Sequence, residues 1–385
     1  MHTSALGSPA KFAWVGLLCL LLAGCGSNKQ PVVCGASSGA GLCPNPNVFL
    51  YATTTSNQIL PFNISSTGSL TAFTPIAGPA NSGSIASVGL FLMFADPSSN
   101  EVDSDQINGP GTLMTVPGSP FPLGTAGGGP TSILAAPFGF FYASEPNGSI
   151  VGFTAPGNGT LTGSVPNSPF AAGAAPSQVA VAALSASAAG TNALYAADAG
   201  DPNGGILAYT IDSAGSLTPV AGSPFSAWAN ATPNSVLVAS PYVFVSLTSM
   251  ASLTDMGRVA VLAIDQSSGA LTPVPGSPFA AGNAPVALAV DSLNHLFVLN
   301  TADHTVSAFG IASNGVLTAI GSPVAAGTAT GGILPIPPYL YVADTTASNI
   351  LIFTLDPTTG ALAPAGSMPV SSPPLQLTVV NFPGV

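Results

Sequence analysis

The chain has 385 residues, of which 47% are hydrophobic and only 4% are charged, against about 25% charged residues in ordinary soluble domains. Three Lys and Arg side chains stand against 14 acids, so the formal net charge is −11. A protein this poor in cations cannot bind nucleic acid through phosphate contacts or dock on anionic lipid through a basic patch. Recurrent apolar runs exclude a disordered chain, and the 44 Gly and 38 Pro residues suit short strands joined by tight turns.

The first segment predicts export. Residues 1–24 form a signal peptide in which Lys11 precedes an apolar run, residues 12–22, shorter than the roughly 20 residues of a membrane span. Small residues then lead to Cys25, a pattern typical of bacterial lipoproteins, whose cysteine is lipidated and becomes residue one. An ordinary signal peptide with an incidental cysteine is the alternative. By similarity to sorted lipoproteins of double-membrane bacteria, the glycine at position 26 favours the outer membrane.

Residues 25–47 predict a flexible tether behind the lipidated Cys25, because Gly, Ser, Asn, Pro and Cys dominate without hydrophobic periodicity. Cys34 and Cys43 lie in this tether, and in an oxidising compartment we expect them to form one disulfide. A metal site is the alternative, but two cysteines without a nearby histidine make a poor zinc site. We expect no cofactor and no metal, and membrane contact through acyl chains alone.

Residues 48–385 predict one domain of seven repeated units. The units share a Gly-x-Leu turn, whose glycines are Gly68, Gly111, Gly159, Gly215, Gly269, Gly315 and Gly360. They also share an aromatic or large apolar residue in an earlier strand, at Tyr51, Met93, Tyr142, Tyr195, Phe244, Phe297 and Tyr341. Several short strands in units of about 40–55 residues are typical of propellers. We therefore predict an all-β, seven-bladed β-propeller with four antiparallel strands per blade.

The two ends of the domain predict how the ring closes. The first unit begins directly at its second strand, near Val48, whereas a spare strand, residues 375–382, follows the last unit. We predict that this C-terminal strand closes the first blade, since closure removes exposed edges. Small-residue runs such as 179–182 fit the crowded innermost strands. A Ser-Pro-Phe loop links several units, and we expect its phenylalanine, for instance Phe225, between neighbouring blades.

Several short motifs carry a resemblance to a known family. They are Tyr-Val-Ala-Asp at 341–344, Phe-Val-Leu-Asn at 297–300, the strand 285–291, and the Gly-x-Leu turns that start at Asp212, Asp265 and Asp356. Through them, residues 48–385 resemble the seven-bladed lactonase-type propellers related to bacterial 6-phosphogluconolactonase, and the surface propellers with Tyr-Val-Thr-Asn-like repeats. The resemblance implies hydrolysis of anionic sugar lactones in a pocket that holds cationic groups and an acid–base residue.

Charged chemistry of that kind is scarce in this chain. His304, in a loop after a second strand and beside Asp303, is the best candidate base, and the alternative is a solvated loop histidine. Arg258 is a further catalytic candidate, for which a surface arginine near Asp255 is the alternative. His295 starts a strand and is interpreted as facing a turn.

The acids fall into two sets. Asp212, Asp265 and Asp356 start hairpin turns, where a carboxylate can accept the backbone N–H two residues on. The second set follows second strands, so that it shares one face of the disc: Asp96, Glu145, Asp198, Asp303 and Asp344. We interpret that set as a solvated acidic rim, and a ring of ligands for a cation such as Ca²⁺ is the alternative.

Together these features favour an exported, lipid-anchored propeller that acts as a non-catalytic binding or scaffold module at the bacterial envelope, on the periplasmic or surface side of the outer membrane. We expect a protein or glycan partner and no nucleic acid, and the sequence leaves the oligomeric state open. Trp228 is either a contact aromatic for such a partner or a packed loop anchor. Lactone hydrolysis is the alternative function, and it rests on the resemblance.

Overall fold

The computed structural model describes residues 48–79, 81–125, 127–186, 191–201, 203–249, 257–327 and 331–381. Every regular element in these ranges is a β-strand, as the sequence predicts. The signal peptide, the tether and its predicted lipidation and disulfide residues, Cys25, Cys34 and Cys43, lie outside the described residues. Within the described ranges, no helix has the length and apolar character needed to cross a membrane.

The strands form seven sheets. Blade 1 begins with β1 (Val48–Thr54), β2 (Gln58–Ile64), β3 (Leu70–Ala72) and β4 (Ile76–Ala77). Blade 2 contains β5 (Ile85–Val88), β6 (Phe91–Asp96), β7 (Glu101–Gly109), β8 (Thr112–Thr115) and β9 (Phe121–Pro122). Blade 3 contains β10 (Ser132–Ala136), β11 (Phe140–Glu145), β12 (Ser149–Thr154), β13 (Thr162–Ser164) and β14 (Phe170–Ala171). Blade 4 contains β15 (Pro176–Ala183), β16 (Asn192–Asp198), β17 (Gly205–Ile211), β18 (Leu217–Pro219) and β19 (Phe225–Ser226).

The second half of the ring repeats this pattern. Blade 5 contains β20 (Ala231–Ala239), β21 (Tyr242–Ser249), β22 (Arg258–Ile264), β23 (Leu271–Pro273) and β24 (Phe279–Ala280). Blade 6 contains β25 (Pro285–Val290), β26 (His295–Asn300), β27 (Thr305–Ile311), β28 (Leu317–Ala319) and β29 (Val324–Ala325). Blade 7 contains β30 (Ile333–Ile336), β31 (Tyr339–Asp344), β32 (Asn349–Leu355) and β33 (Leu362–Pro369), and β34 (Pro374–Asn381) follows it.

Each blade is an antiparallel sheet, and in blades 2–7 the first strand in chain order lies innermost. In blades 2–6 four strands pair in chain order, which confirms the predicted four-stranded blade. The outer edge is split in these blades, because a two-residue fifth strand pairs with the third strand beyond the end of the fourth. In blade 4, for example, β18 pairs with the end of β17 and β19 pairs with its beginning.

The C-terminal strand closes the ring as predicted. β34 pairs antiparallel with β1, with Asn381 opposite Val48 and Val379 opposite Leu50, and the sheet order of blade 1 is β34-β1-β2-β3. The innermost strand of blade 1 therefore comes from the opposite end of the domain. No blade is left incomplete among the described residues.

The recurring Ser-Pro-Phe loop has a structural task at the outer edge of blades 2–5. Where the outer strand is interrupted, the serine hydroxyl accepts an N–H of the third strand, as Ser223 Oγ does from Ala208 N at 2.9 Å. The same contact joins Ser119 to Ser104 N (2.8 Å), Ser168 to Gly152 N (3.0 Å) and Ser277 to Val261 N (2.9 Å). The phenylalanine that follows packs on the apolar clusters of the blades, as Phe225 does.

The two repeat motifs of the sequence meet across blade boundaries. Tyr142 of blade 3 is fully buried, and its hydroxyl donates to the carbonyl of Gly215, the turn glycine of blade 4, at 2.6 Å. The contact recurs from Tyr195 to Gly269 (2.8 Å) and from Tyr341 to Gly68 (2.9 Å). In blade 2, where Met93 occupies the tyrosine position, its cross-strand partner Ser104 donates to Gly159 O at 2.7 Å instead. These bonds fix blade 2 to blade 3, blade 3 to blade 4, blade 4 to blade 5, and blade 7 to blade 1.

Candidate functional site

The seven innermost strands enclose a cavity of about 250 Å³ on the propeller axis. Neighbouring inner strands contact one another in the order β34, β5, β10, β15, β20, β25 and β30, and β30 contacts β34 again. Every blade therefore contributes to the wall. This volume lies just below the roughly 300–1,000 Å³ of small-molecule pockets, which suits one monosaccharide-sized molecule.

The wall has two chemically different arcs. Blades 2–5 supply hydroxyl and amide side chains, those of Ser84, Ser87, Thr131, Ser132, Ser177, Gln178, Asn234 and Ser235. Blades 6, 7 and 1 supply mainly apolar side chains, those of Val286, Ala287, Leu288, Ile333, Leu334, Leu377 and Val379. Gln376 and Thr378 of β34 are polar exceptions on the apolar side. Among the described residues that line the cavity there is no Asp, Glu, Lys, Arg or His.

Most polar side chains of the wall hold neighbouring blades together. The bonds run from Ile133 N to Ser84 Oγ (3.0 Å), from Val179 N to Ser132 Oγ (3.4 Å), from Val236 N to Gln178 Oε1 (2.9 Å) and from Asn234 Nδ2 to Pro285 O (2.9 Å). A buried N–H without a partner costs about 1–3 kcal/mol, so these side chains are needed where one inner strand faces the next. The wall of the cavity is therefore polar at many positions whose side chains bond the next blade and are not available to a ligand.

A smaller set of polar atoms is left for a ligand. Within the described residues, Gln178 Nε2, the whole side-chain amide of Gln376 and the hydroxyls of Ser87 and Thr378 line the cavity without a hydrogen bond to the protein. Sequence reasoning missed these residues. The available signal was their position, because Gln178 immediately precedes the small-residue run 179–182 and Gln376 lies within the spare C-terminal strand.

The predicted base candidates lie in a turn after β26 and do not line the cavity. Asp303 accepts two bonds from Asn283, from the backbone N at 2.6 Å and from Nδ2 at 2.7 Å. His304 is exposed, and its carbonyl accepts the N–H of Ala326 at 2.8 Å. The turn thus packs Asp303 against the connection between blades 5 and 6, which carries Asn283, and binds His304 to the residue after β29, and neither side chain belongs to the axial wall.

Arg258, the third candidate, contacts an aromatic ring instead of the cavity. Its guanidinium carbon lies 4.9 Å from the centroid of the Trp228 ring, a cation–π distance. Trp228 is half-buried and packs on the cluster formed by blades 4 and 5, so it anchors its loop. Asp255, the predicted neighbour of Arg258, lies outside the described residues.

The prediction of a solvated acidic rim is wrong for three of its five members. Glu145, Asp198 and Asp344 are 0%, 6% and 2% exposed, because each folds back under a loop. Asp198, for example, accepts the backbone N–H groups of Ala174 and Ala175 at 3.0 and 2.8 Å. Among the described residues no three His, Cys, Asp or Glu side chains are grouped as metal ligands would be.

The other predicted acids cap their turns as expected. Asp212 Oδ1 accepts Ala214 N at 2.8 Å, Asp265 Oδ1 accepts Ser267 N at 3.0 Å, and Asp356 Oδ1 accepts Thr358 N at 2.9 Å. Hydrogen bonds from Ser267 and Ser268 lower the pKa of Asp265 to about 2. His295 is buried against the preceding turn, as the sequence suggests, with Nδ1 2.8 Å from Asp291 Oδ2.

No protein-family model and no curated protein matches the chain. Solved structures do match it. A candidate 6-phosphogluconolactonase from Bacteroides uniformis has a TM-score of 0.69 at 17% identity, over 87% of this chain and 100% of that one. Another from Bacteroides fragilis has 0.66 at 19% identity, over 89% and 100%. The periplasmic gluconolactonase of Pseudomonas aeruginosa has 0.67 at 17% identity, over 87% and 100%. The chain therefore has the seven-bladed propeller fold that these lactonase-type structures share.

Proposed function

We propose that the protein is a lactonase-type propeller of the bacterial envelope that acts on a neutral sugar lactone bound in its axial cavity. The observation that carries this proposal is the wall of the cavity, which is polar over four blades and free of charged side chains among the described residues. Hydroxyl and amide groups suit the hydroxyls and the ring ester of an unphosphorylated sugar lactone. The fold likeness to a periplasmic gluconolactonase supports the same substrate class.

Charge argues against a phosphorylated substrate. A phosphate group that enters a cavity without cations loses its water and gains no counter-ion, which costs several kcal/mol. The acidic chain, with its net charge of −11, adds long-range repulsion. The anionic lactones implied by the family resemblance are therefore the poorer fit, and the neutral members of the class are the better one.

The free donors of the cavity indicate which part of the chemistry the protein supplies. Attack of water on a lactone carbonyl places negative charge on the carbonyl oxygen, and a positioned donor stabilises that oxyanion. Gln178 Nε2, Gln376 Nε2 and the hydroxyls of Ser87 and Thr378 are the available donors among the described residues. Since no titratable side chain of the described wall can act as base, the attacking water would lose its proton to solvent water. The tetrahedral intermediate would then break the bond between the carbonyl carbon and the ring oxygen, and that oxygen would take a proton from solvent to become a hydroxyl of the open acid.

Location is part of the proposal. A signal peptide over residues 1–24, a lipid on Cys25 and a Cys34–Cys43 disulfide in the tether would hold the propeller at the outer membrane through acyl chains. The sequence pattern carries this part. Labelled palmitate incorporation tests it, because Cys25→Ser should abolish labelling while Cys34→Ser should not.

The experiment that tests the activity measures acid release from glucono-1,5-lactone and from its 6-phosphate, above the spontaneous rates, with the full chain purified from membranes. We expect the neutral lactone to be hydrolysed with a kcat/KM at least 10-fold above that of the phosphate ester. His304→Ala is the control, and it should keep full activity. Loss of activity in that variant, or preference for the phosphate ester, would indicate that the active site lies outside the axial cavity and would refute the proposal.

Non-catalytic binding of the same ligand class, or of a glycan end that carries it, is the second candidate. It is favoured by one observation, the absence of an acid or base among the described residues of the cavity wall. Binding of a neutral sugar ring without acceleration of lactone hydrolysis would select it.

A further inference from the structure

We propose that the side-chain amides of Gln178 and Gln376 hold a neutral ring-shaped ligand from opposite sides of the axial cavity, with its apolar face against blades 6 and 7. This inference rests on the proposed ligand class and assigns the residues that recognise it. Gln178 lies on β15 and Gln376 on β34, and both line the cavity. Around the ring of seven inner strands, β15 is three strands from β34 in one direction and four in the other. The two amides therefore approach from facing walls.

Gln178 is held ready by the protein. Its Oε1 accepts the Ser235 hydroxyl at 2.6 Å and the N–H of Val236 at 2.9 Å. Because a carboxamide is planar, fixing Oε1 also fixes the direction of Nε2, which makes no hydrogen bond to the described protein. A donor that is already oriented loses little entropy when a ligand oxygen arrives. Gln178 is thus a rigid donor toward one edge of the ligand.

Gln376 complements it as an adjustable group. Its backbone N–H donates to Thr53 Oγ1 at 3.1 Å, and its side-chain amide keeps both donor and acceptor capacity within the described residues. The side chain lies against Gly332, where an added Cβ would be 2.6 Å from Gln376 Oε1. The glycine therefore leaves the amide the room that it occupies beside the cavity.

The rest of the wall selects the shape of the ligand. Val286 and Ile333 belong to the apolar arc between the two amides on the longer side of the ring. A sugar ring presents C–H groups on its faces and hydroxyls at its edges, so it can place its edges on the amides and a face on this arc. An acyclic polyol has no fixed apolar face to place on this arc, and a charged sugar would find no counter-ion in the described wall of the cavity. Both should therefore bind less well than a neutral ring.

The test is calorimetric binding of 1,5-anhydroglucitol, a stable neutral ring, to the full chain. Gln178→Glu keeps the Oε1 acceptor and removes the donor, and Gln376→Leu removes both functions at similar volume. Each should weaken binding about 10-fold, the worth of one hydrogen bond. Gln266→Glu is the matched control, since Gln266 lies outside the cavity, where it bonds Ser185, and it should bind like wild type.

A pH profile separates recognition from a purely structural effect. Protonation of the new carboxyl in Gln178→Glu restores an O–H donor, so its binding should recover below about pH 4, whereas wild-type binding should not change. Equal binding by wild type and both cavity variants would overturn the assignment and leave the ligand class standing. Failure of wild type to bind the neutral ring would overturn the assignment and the proposed function together. A loss of affinity in Gln266→Glu as large as that in the cavity variants would also refute the assignment.

Discussion

The tyrosine bonds between blades allow a prediction with an internal control. Tyr142→Phe removes the hydroxyl that donates to Gly215 O at 2.6 Å and leaves a buried carbonyl unpaired. Tyr51 occupies the equivalent position in blade 1 and is equally buried, yet its hydroxyl has no partner among the described residues. Burial raises the pKa of Tyr51 to about 12, so the group stays neutral at any working pH. The same substitution therefore removes a bond in one blade and an unpaired hydroxyl in the other.

The expected changes have opposite signs. Tyr142→Phe should lower the free energy of unfolding by about 1–3 kcal/mol, and Tyr51→Phe should leave it unchanged or raise it by up to about 1 kcal/mol. With an unfolding entropy of about 2.1 cal/mol/K per residue, 385 residues give about 0.8 kcal/mol/K, so Tyr142→Phe should shift Tm by about 1–4 °C. Urea unfolding followed by tyrosine and tryptophan fluorescence measures both variants. Equal losses of unfolding free energy in the two variants would refute the argument, because the cross-blade hydrogen bond is present in only one of them.

Three further predictions follow from other contacts. Deleting residues 374–385 removes the inner strand of blade 1 and should abolish cooperative unfolding. Deleting residues 382–385 is the control, because it leaves β34 intact. An unchanged melting curve for the longer deletion would disprove closure of the ring by β34. Gly173→Ala should lower the free energy of unfolding by at least about 2 kcal/mol, because the new Cβ would overlap the Asp198 carboxylate and the backbone has a positive φ. Gly157 also has a positive φ but open space around it, so Gly157→Ala should lower the free energy by only about 1 kcal/mol. Calorimetry measures both variants. Burial, and then neighbouring carboxylates, raise the pKa of Asp103 to about 6, so stability should fall as pH rises from about 4 to 7. In urea unfolding, the free energy of unfolding of Asp103→Asn should exceed that of wild type by on the order of 1 kcal/mol at pH 7, a value reduced for the partial exposure of the side chain. At pH 3.5 the two proteins should differ little.

The architecture was predictable because the sequence repeats it. The Gly-x-Leu turns and the aromatic or large apolar positions recur seven times, and the structure shows what the two motifs do together in three blades: Tyr195 of one blade, for example, bonds the turn glycine, Gly269, of the next. Closure could also be predicted, since one end lacked an inner strand and the other had one to spare. The split outer edge could not, because the two-residue strands after each Ser-Pro turn are too short to leave a pattern of alternation.

The candidate site escaped prediction for a physical reason. Catalytic sites are usually sought among charged residues, and several charged residues in the described part of the chain serve loops instead: Asp198 and Asp303 bind backbone N–H groups, and Arg258 covers Trp228. The cavity is assembled from two to four residues of each blade, and these short groups lie about 50 positions apart in sequence. The polar residues among them are individually ordinary serines, threonines, asparagines and glutamines. Their meaning comes from the ring, which places their side chains around one axis. In a propeller with so few charges, a polar position at the start of an inner strand is therefore a better guide to the site than any histidine or acid in a loop.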